Sequence, residues 1–144
     1  MDKRKYMLLT IAFFYTLIAN SLLLSVKVGA SSKPYFPIIG TAHFTNDYYG
    51  ARSQGFHPAT DIFAAKHSPI IAAVSGTVSY VVSPQASWGY SVGIQDAGGT
   101  EYRYIHMNND VPGTDDGNGG EMSAYAPDMK VGNKVEQGQL LGYV

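Results

Sequence analysis

Apolar and polar residues alternate along several short segments after residue 40. These segments are rich in valine, isoleucine and tyrosine and are separated by glycine, proline or serine; they read DIFAA, SPIIAAV, GTVSYVV, GYSVGIQDA and TEYRYIHM. A period of two is typical of a β-strand with one buried face. No segment after residue 30 keeps an apolar period of 3.6 residues over three turns, so we expect few helices. The pattern predicts an all-β domain of antiparallel sheet.

Glycine-containing turns lie between the predicted strands. Residues 74–76 (VSG) and 97–99 (AGG) are placed where hairpins would close, with glycine available for positive φ. The last patterned stretch is VGNKVEQGQLLG, and the chain ends two residues after it. Because this end reads as the middle of a strand, we expect the domain to be incomplete at its C-terminus.

A long segment between residues 108 and 131 has no strand pattern and is dense in aspartate, asparagine, glycine and proline. Loops of this length inside a compact domain are usually functional or disordered. It is therefore a mobile surface loop, a wall of a substrate groove or an Asp-rich calcium loop. The stretch DDGNGGE lacks the alternating oxygen ligands of an EF-hand, which disfavours calcium.

The N-terminus has the pattern of an export signal. Basic residues at positions 3–5 precede an apolar stretch over residues 7–26, and small residues follow at Val28 and Ala30. The apolar stretch is also close to the roughly 20 residues that a membrane-spanning helix needs, so an uncleaved membrane anchor is the alternative. We predict a signal peptide or anchor over 1–30, a linker over 31–41, a β domain over 42–144, and a secreted or cell-envelope location.

Charge and cysteine content restrict the chemistry. The chain has a net charge of −1, and its mature part is more acidic because several basic residues lie in the signal. This composition gives no indication of a nucleic-acid partner. There are no cysteines, so no disulfide and no thiolate is available. Any metal must be bound by histidine and carboxylate side chains.

Two of the four histidines have a context that suggests chemistry. His57 is followed four residues later by Asp61, and Pro58 between them keeps the segment from being helical, so both side chains can face one cavity. An imidazole and a carboxylate suit Zn²⁺, but this spacing by itself is also that of a turn with a polar face. His106 ends the strand YRYIHM, where alternation places Tyr102, Tyr104 and His106 on one face. It is either part of an aromatic face or an acid–base group, and Tyr104 is either core or a second donor.

Several ordered motifs together resemble the lysostaphin-like zinc endopeptidases that cleave peptidoglycan cross-bridges. The resemblance runs from about Ala42 to Val144 and rests on HPATDI, GTV, WGY, YIHM and VEQGQLLG. It implies a β-sandwich-like hybrid barrel with long loops. It also implies that His57 and Asp61 bind Zn²⁺, that His106 is catalytic, and that Tyr104 and Asn108 beside it contact a peptidoglycan peptide.

The family completes its site with a His-x-His motif after the Gly-Gln hairpin, and the sequence ends before such a motif. The resemblance therefore implies a missing third ligand, and we expect the 144-residue chain to be inactive and monomeric. A non-catalytic relative that binds cell wall or regulates another hydrolase is the alternative. A biotin- or lipoate-carrier barrel shares the Gly-Gln turn, but Lys130 precedes that turn, whereas the carriers' modified lysine follows it.

Overall fold

The computed structural model describes residues 33–53 and 55–144. Residues Lys33–Val144 form one compact unit. The predicted signal peptide or anchor over residues 1–30 lies outside the described residues. Among the residues that are described, no helix is long and apolar enough to cross a membrane.

Short strands dominate the described residues, with a single five-residue helix. In chain order they are β1 (Ala42–Phe44), β2 (Ala51–Arg52), β3 (Gly55–Phe56), β4 (Ile62–Ala64), β5 (Pro69–Ile71), β6 (Gly76–Val81), β7 (Tyr90–Gln95), β8 (Glu101–Met107), α1 (Gly120–Ala124), β9 (Lys134–Val135) and β10 (Leu140–Tyr143). The all-β prediction is confirmed.

The strands form one larger sheet and three two-stranded ones, and every pairing is antiparallel. The four-stranded sheet has the order β8-β7-β6-β9, and the pairs are β1-β4, β2-β3 and β5-β10. The described sheets do not close into a barrel. The barrel expected from the resemblance is thus not seen in this part of the chain, because β5 pairs with β10 in a separate small sheet.

The core lies between the four-stranded sheet and the β5-β10 pair. Its most buried members are aliphatic, and Val92, Ile94 and Leu141 have no exposed surface. Burial of each such side chain contributes about 1.5–3 kcal/mol to folding. Gly93 lies between Val92 and Ile94, and a Cβ there would overlap the ring of Tyr80 on the neighbouring strand. Only glycine allows this close approach.

The two predicted hairpin turns have different outcomes. Residues 97–99 connect β7 to β8, with Gly99 at φ 85° and the Asp96 N–H bonded to the Thr100 carbonyl, so that prediction is confirmed. Residues 74–76 connect β5 to β6, which lie in different sheets, so a hairpin there was a wrong prediction. The true partner of β5 is β10, some seventy residues away, and a local turn signal cannot reveal such a pairing.

The described part of the predicted linker, from residue 33 onward, is hydrogen-bonded to the domain. Tyr35 donates its N–H to the Ala73 carbonyl, Ile39 donates to Pro69, and Ile71 donates back to Pro37. Residues 35–39 therefore run along β5, although the two prolines of the predicted linker, Pro34 and Pro37, and its lack of periodicity suggested a free segment.

Candidate metal and active site

A two-stranded hairpin places His57. Strands β2 and β3 pair Ala51 with Phe56 and Arg52 with Gly55. Backbone hydrogen bonds continue the pairing beyond the strands, because His57 donates its N–H to Gly50 and accepts one from Tyr49. The Gly50 N–H in turn bonds to the Asp47 carbonyl at 2.7 Å. The turn over residues 47–50 is thereby held beside His57.

The two predicted metal ligands come together. The His57 Nε2 atom lies 3.5 Å from the Asp61 Oδ1 atom. The His57 side chain is 18% exposed and that of Asp61 is 43% exposed, so a cation from solvent can reach both. The structure therefore supports a shared site more strongly than their spacing in the sequence could.

Asp47 is a third member that the sequence reading missed. Within the described residues, one group of histidine and carboxylate side chains could hold a metal ion: Asp47, His57 and Asp61, whose donor atoms lie within 4.8 Å of one another. Asp47 Oδ2 is 3.1 Å from His57 Nδ1, and Asp47 Oδ1 accepts the Asp61 N–H at 3.3 Å. Burial opposes ionisation of Asp47, but the Asp61 N–H and the nearby His57 outweigh it and lower the pKa of this carboxyl.

Arg52 is the cation of the cluster. Its Nη2 atom lies 2.7 Å from Asp61 Oδ2, 3.0 Å from Asp47 Oδ2 and 3.1 Å from His57 Nδ1. It thus neutralises one of the two negative charges that converge here. No signal in the sequence marked Asp47 or Arg52, because only the β2-β3 pairing brings them to His57.

His106 lies at a β-bulge. The β7-β8 register passes from Ile105 opposite Ser91 to Met107 opposite Tyr90, which leaves His106 without a partner. Its φ is 61°, a left-handed conformation that is uncommon outside glycine. The bulge interrupts the simple alternation that predicts His106 on the same face as Tyr102 and Tyr104. Bulges often redirect a side chain next to a functional site.

A cavity of about 710 Å³ connects these residues. His57, Asp61 and His106 all line it, together with apolar side chains such as Ile62, Phe63 and Ile105. A concave, mostly apolar site with a few convergent polar groups is the usual form of a small-molecule or peptide site. The geometry thus places the predicted catalytic histidine and both predicted ligands in one cavity.

The two residues predicted to bind substrate have structural contacts. Tyr104 is 8% exposed, and its hydroxyl oxygen accepts the Ala73 N–H at 2.7 Å; burial raises the pKa of this phenol. Tyr104 is also among the residues that line the cavity. Asn108 is 5% exposed, and its amide donates to the carbonyls of Asp110 and Ser123. Asn108 does not line the cavity, so its geometry supports a role in holding the following loop.

The long segment over residues 108–131 is anchored by charge. Lys66 Nζ lies 2.6 Å from both Asp110 Oδ2 and Asp115 Oδ1, and Asp110 also accepts the Gly117 N–H. These two carboxylates are thus satisfied by a lysine, which disfavours the calcium alternative. The segment does not contribute to the cavity lining described above, so its reading as a groove wall finds no support there.

The segment that contains His57, Asp61 and His106 is similar to a known peptidase family. The model of peptidase family M23 matches residues 55–116. This part of the chain is similar to that family. The match begins on β3 and includes His57, Asp61 and His106, and it confirms the lysostaphin-like resemblance. Comparisons with curated proteins and with solved structures gave no match. Asp47 and Arg52 precede the matched residues of the M23 segment.

The donor atoms of the M23 site fit a divalent metal. An imidazole nitrogen and a carboxylate oxygen, as His57 and Asp61 offer, are ligands that Zn²⁺ accepts. The donor types of these two residues therefore suit a zinc site without any sulfur ligand.

Proposed function

We propose that this chain is an exported zinc metalloendopeptidase-type protein that hydrolyses peptide bonds of peptidoglycan cross-links. The observation behind the proposal is that His57, Asp61 and His106 of the M23 segment line one cavity. The match to peptidase family M23 supports a peptidase with a peptide substrate. Zinc, the cell-wall substrate and export come from the motif resemblance and from the pattern of residues 1–30. The monomeric state and inactivity of the 144-residue chain stay predictions.

His57 and Asp61 would hold the metal. When bound there, Zn²⁺ supplies Lewis-acid activation of water and of the scissile carbonyl. The protein contributes the orientation of the two ligands and an apolar wall formed by side chains such as Ile62 and Phe63. Such a wall offers an apolar surface on which a peptide side chain can pack beside the metal ligands.

His106 would handle the proton. An imidazole can accept a proton as an amide is attacked and donate it to the leaving nitrogen, which contributes typically 10²–10⁴-fold to rate. The bulge separates His106 from the regular pairing of β8, and its side chain lines the cavity that also contains His57. We therefore assign His106 to acid–base catalysis and not to metal binding.

A second function is favoured by one observation. Arg52 already pairs with Asp47 and Asp61 at 3.0 and 2.7 Å, so the cluster is partly neutralised by the protein itself. A relative that does not use metal could retain this arrangement and bind a wall peptide in the same cavity. Metal content and hydrolysis distinguish the two functions.

The test measures zinc content and cleavage of peptidoglycan peptides for wild type, His57→Ala and His106→Ala. His43→Ala is the matched control, because this exposed histidine stacks on Phe63 and is not among the metal donors. In whichever length of chain cleaves, we expect about one zinc per wild-type molecule, loss of zinc in His57→Ala, and retained zinc with at least about 10²-fold slower cleavage in His106→Ala. Where the reading frame continues past Val144, cleavage is also measured with the longer chain.

Two outcomes would contradict the proposal. Equal zinc content in wild type and His57→Ala would place any metal elsewhere. Retention of peptidoglycan without cleavage by either length of chain, with no bound zinc, would favour the binding function.

A further inference from the structure

Asp47 contacts both predicted metal ligands with different oxygen atoms. Oδ2 is 3.1 Å from the His57 ring at Nδ1, and Oδ1 accepts the Asp61 backbone N–H at 3.3 Å. Asp47 lies ten residues before His57 and fourteen before Asp61, outside the residues matched by the M23 family model. The Asp47 side chain thus contacts both proposed ligands, although it lies in a different segment of the chain.

The two hydrogens on Arg52 Nη2 help to assign which atom donates in the contact between His57 and Asp47. A guanidinium Nη atom carries two hydrogens. Arg52 Nη2 has two carboxylate acceptors, Asp61 Oδ2 at 2.7 Å and Asp47 Oδ2 at 3.0 Å, which use both. Nothing then remains for His57 Nδ1 at 3.1 Å. The bond between His57 and Asp47 is therefore satisfied by an Nδ1–H donating to Oδ2.

With Nδ1 of His57 protonated, the other ring nitrogen, Nε2, is left free to bind a metal ion. In a neutral imidazole with Nδ1 protonated, Nε2 carries the lone pair. His57 Nε2 is the atom that lies 3.5 Å from Asp61 Oδ1. Carboxylates that accept from the far nitrogen of a metal-binding histidine fix its tautomer and its orientation.

We infer that Asp47 is a positioning residue that presents the lone pair of His57 Nε2 and the carboxylate of Asp61 to one metal ion. The inference rests on the proposed function of His57 and Asp61 as metal ligands. Asp47 acts through these two residues, so its removal should weaken metal binding without abolishing it.

The variant Asp47→Asn tests this role with little change in size. Asparagine has one acceptor oxygen, whereas Asp47 uses two, so either the His57 contact or the Asp61 contact is lost. Zn²⁺ affinity of the full chain should fall about 10- to 100-fold, the usual effect of removing a partner of a metal-binding histidine. Asp47→Glu restores both acceptors and should recover part of the affinity. Asp115→Asn, which removes a carboxylate from the Lys66 cluster, is the matched control and should bind zinc like wild type.

A spectroscopic signature separates positioning from general loss of structure. ¹⁵N NMR of the metal-free full chain should show His57 in wild type as the Nδ1–H tautomer, with the resonance assigned by its loss in His57→Ala. Asp47→Asn should move His57 toward the Nε2–H form at an unchanged melting temperature.

Three results would overturn the role of Asp47. The first is zinc affinity in Asp47→Asn equal to that of Asp115→Asn. The second is an unchanged His57 tautomer in Asp47→Asn. The third is a loss beyond about 1,000-fold with an altered Co²⁺ absorption spectrum, which exceeds the effect of an outer partner and would make Asp47 a direct ligand. Because the tautomer is read without metal, it shows whether Asp47 orients the His57 ring independently of whether His57→Ala supports or contradicts the proposed zinc site.

Discussion

Two clusters in this protein place one cation between two aspartates. Lys66 contacts Asp110 and Asp115 at 2.6 Å each, and Arg52 contacts Asp47 and Asp61 at 3.0 and 2.7 Å. In the lysine cluster the central carboxylate, Asp110, is 8% exposed and also bonds to a backbone N–H of the loop. That cluster holds residues 108–131 in place.

The arginine cluster differs by the addition of a histidine and a cavity. His57 contacts both aspartates, and Asp61 remains 43% exposed on a cavity wall. Ligands that stay accessible can exchange a protein cation for a metal ion, whereas a buried carboxylate that is already bonded to backbone cannot do so at low cost. Similar charges thus stabilise a loop in one place and prepare a binding site in the other.

The largest expected difference between the clusters is in metal binding. Asp61→Asn removes a proposed ligand and should weaken Zn²⁺ binding by more than about 100-fold, because ligand loss exceeds the effect of losing an outer partner. Asp115→Asn, the equivalent change in the lysine cluster, should leave zinc affinity unchanged. Isothermal titration with Zn²⁺ measures both, and equal affinities would remove the distinction drawn between the clusters.

Residues 108–131, which Lys66 holds through Asp110 and Asp115, also pack against strand β10 at Gly142. A Cβ at Gly142 would overlap the carbonyl oxygen of Ala124 at the end of α1. Gly142→Ala should therefore cost about 1–3 kcal/mol of unfolding free energy, as overpacking usually does. Zinc affinity should not change, because the loop does not line the cavity. Urea denaturation measures the loss of stability, and zinc titration measures the affinity. Gly98→Ala is the control, because its Cβ would lie 3.3 Å from Asp96 Oδ1, a side-chain atom at the protein surface.

Acid should destabilise the lysine cluster in a defined window. The Lys66 hydrogen bond, helped by the Gly117 N–H, lowers the pKa of Asp110 below its usual value of about 3.9. A carboxyl with a lowered folded pKa contributes stability above its unfolded pKa and loses it as pH falls through the folded pKa. The melting temperature of metal-free protein should fall from about pH 5 to about pH 2, and less steeply in Asp110→Asn. Parallel curves for the two proteins would contradict this assignment.

The smallest expected effect concerns Arg52. Arg52→Gln removes a positive charge beside two carboxylates and should strengthen zinc binding about two- to fivefold, because a half-exposed ion pair is worth at most about 1 kcal/mol. Lys130→Gln makes the same charge change at an exposed site outside the cluster. Weaker zinc binding in Arg52→Gln than in Lys130→Gln would mean that Arg52 supports the metal-bound site.

The local pattern predicted the strands well and their partners poorly. Segments such as GTVSYVV and TEYRYIHM correspond to β6 and β8, because alternation reports which face of a strand is buried. The pairing of β5 with β10 and the docking of residues 35–39 depend on contacts between distant segments. The bulge at His106 also has no local signal, since its unpaired position arises from the register with β7.

By itself, the sequence determined the all-β class and the identity of His57, Asp61 and His106 as candidates, because motif spacing and strand period are local properties. Only the tertiary structure decided that these residues share a cavity, that Asp47 and Arg52 join them, and that Asn108 and Lys66 hold the loop. The physical reason is distance along the chain. Hydrogen bonds and ion pairs between segments 9 to 44 residues apart depend on which strands pair, and that is settled by burial of the whole core.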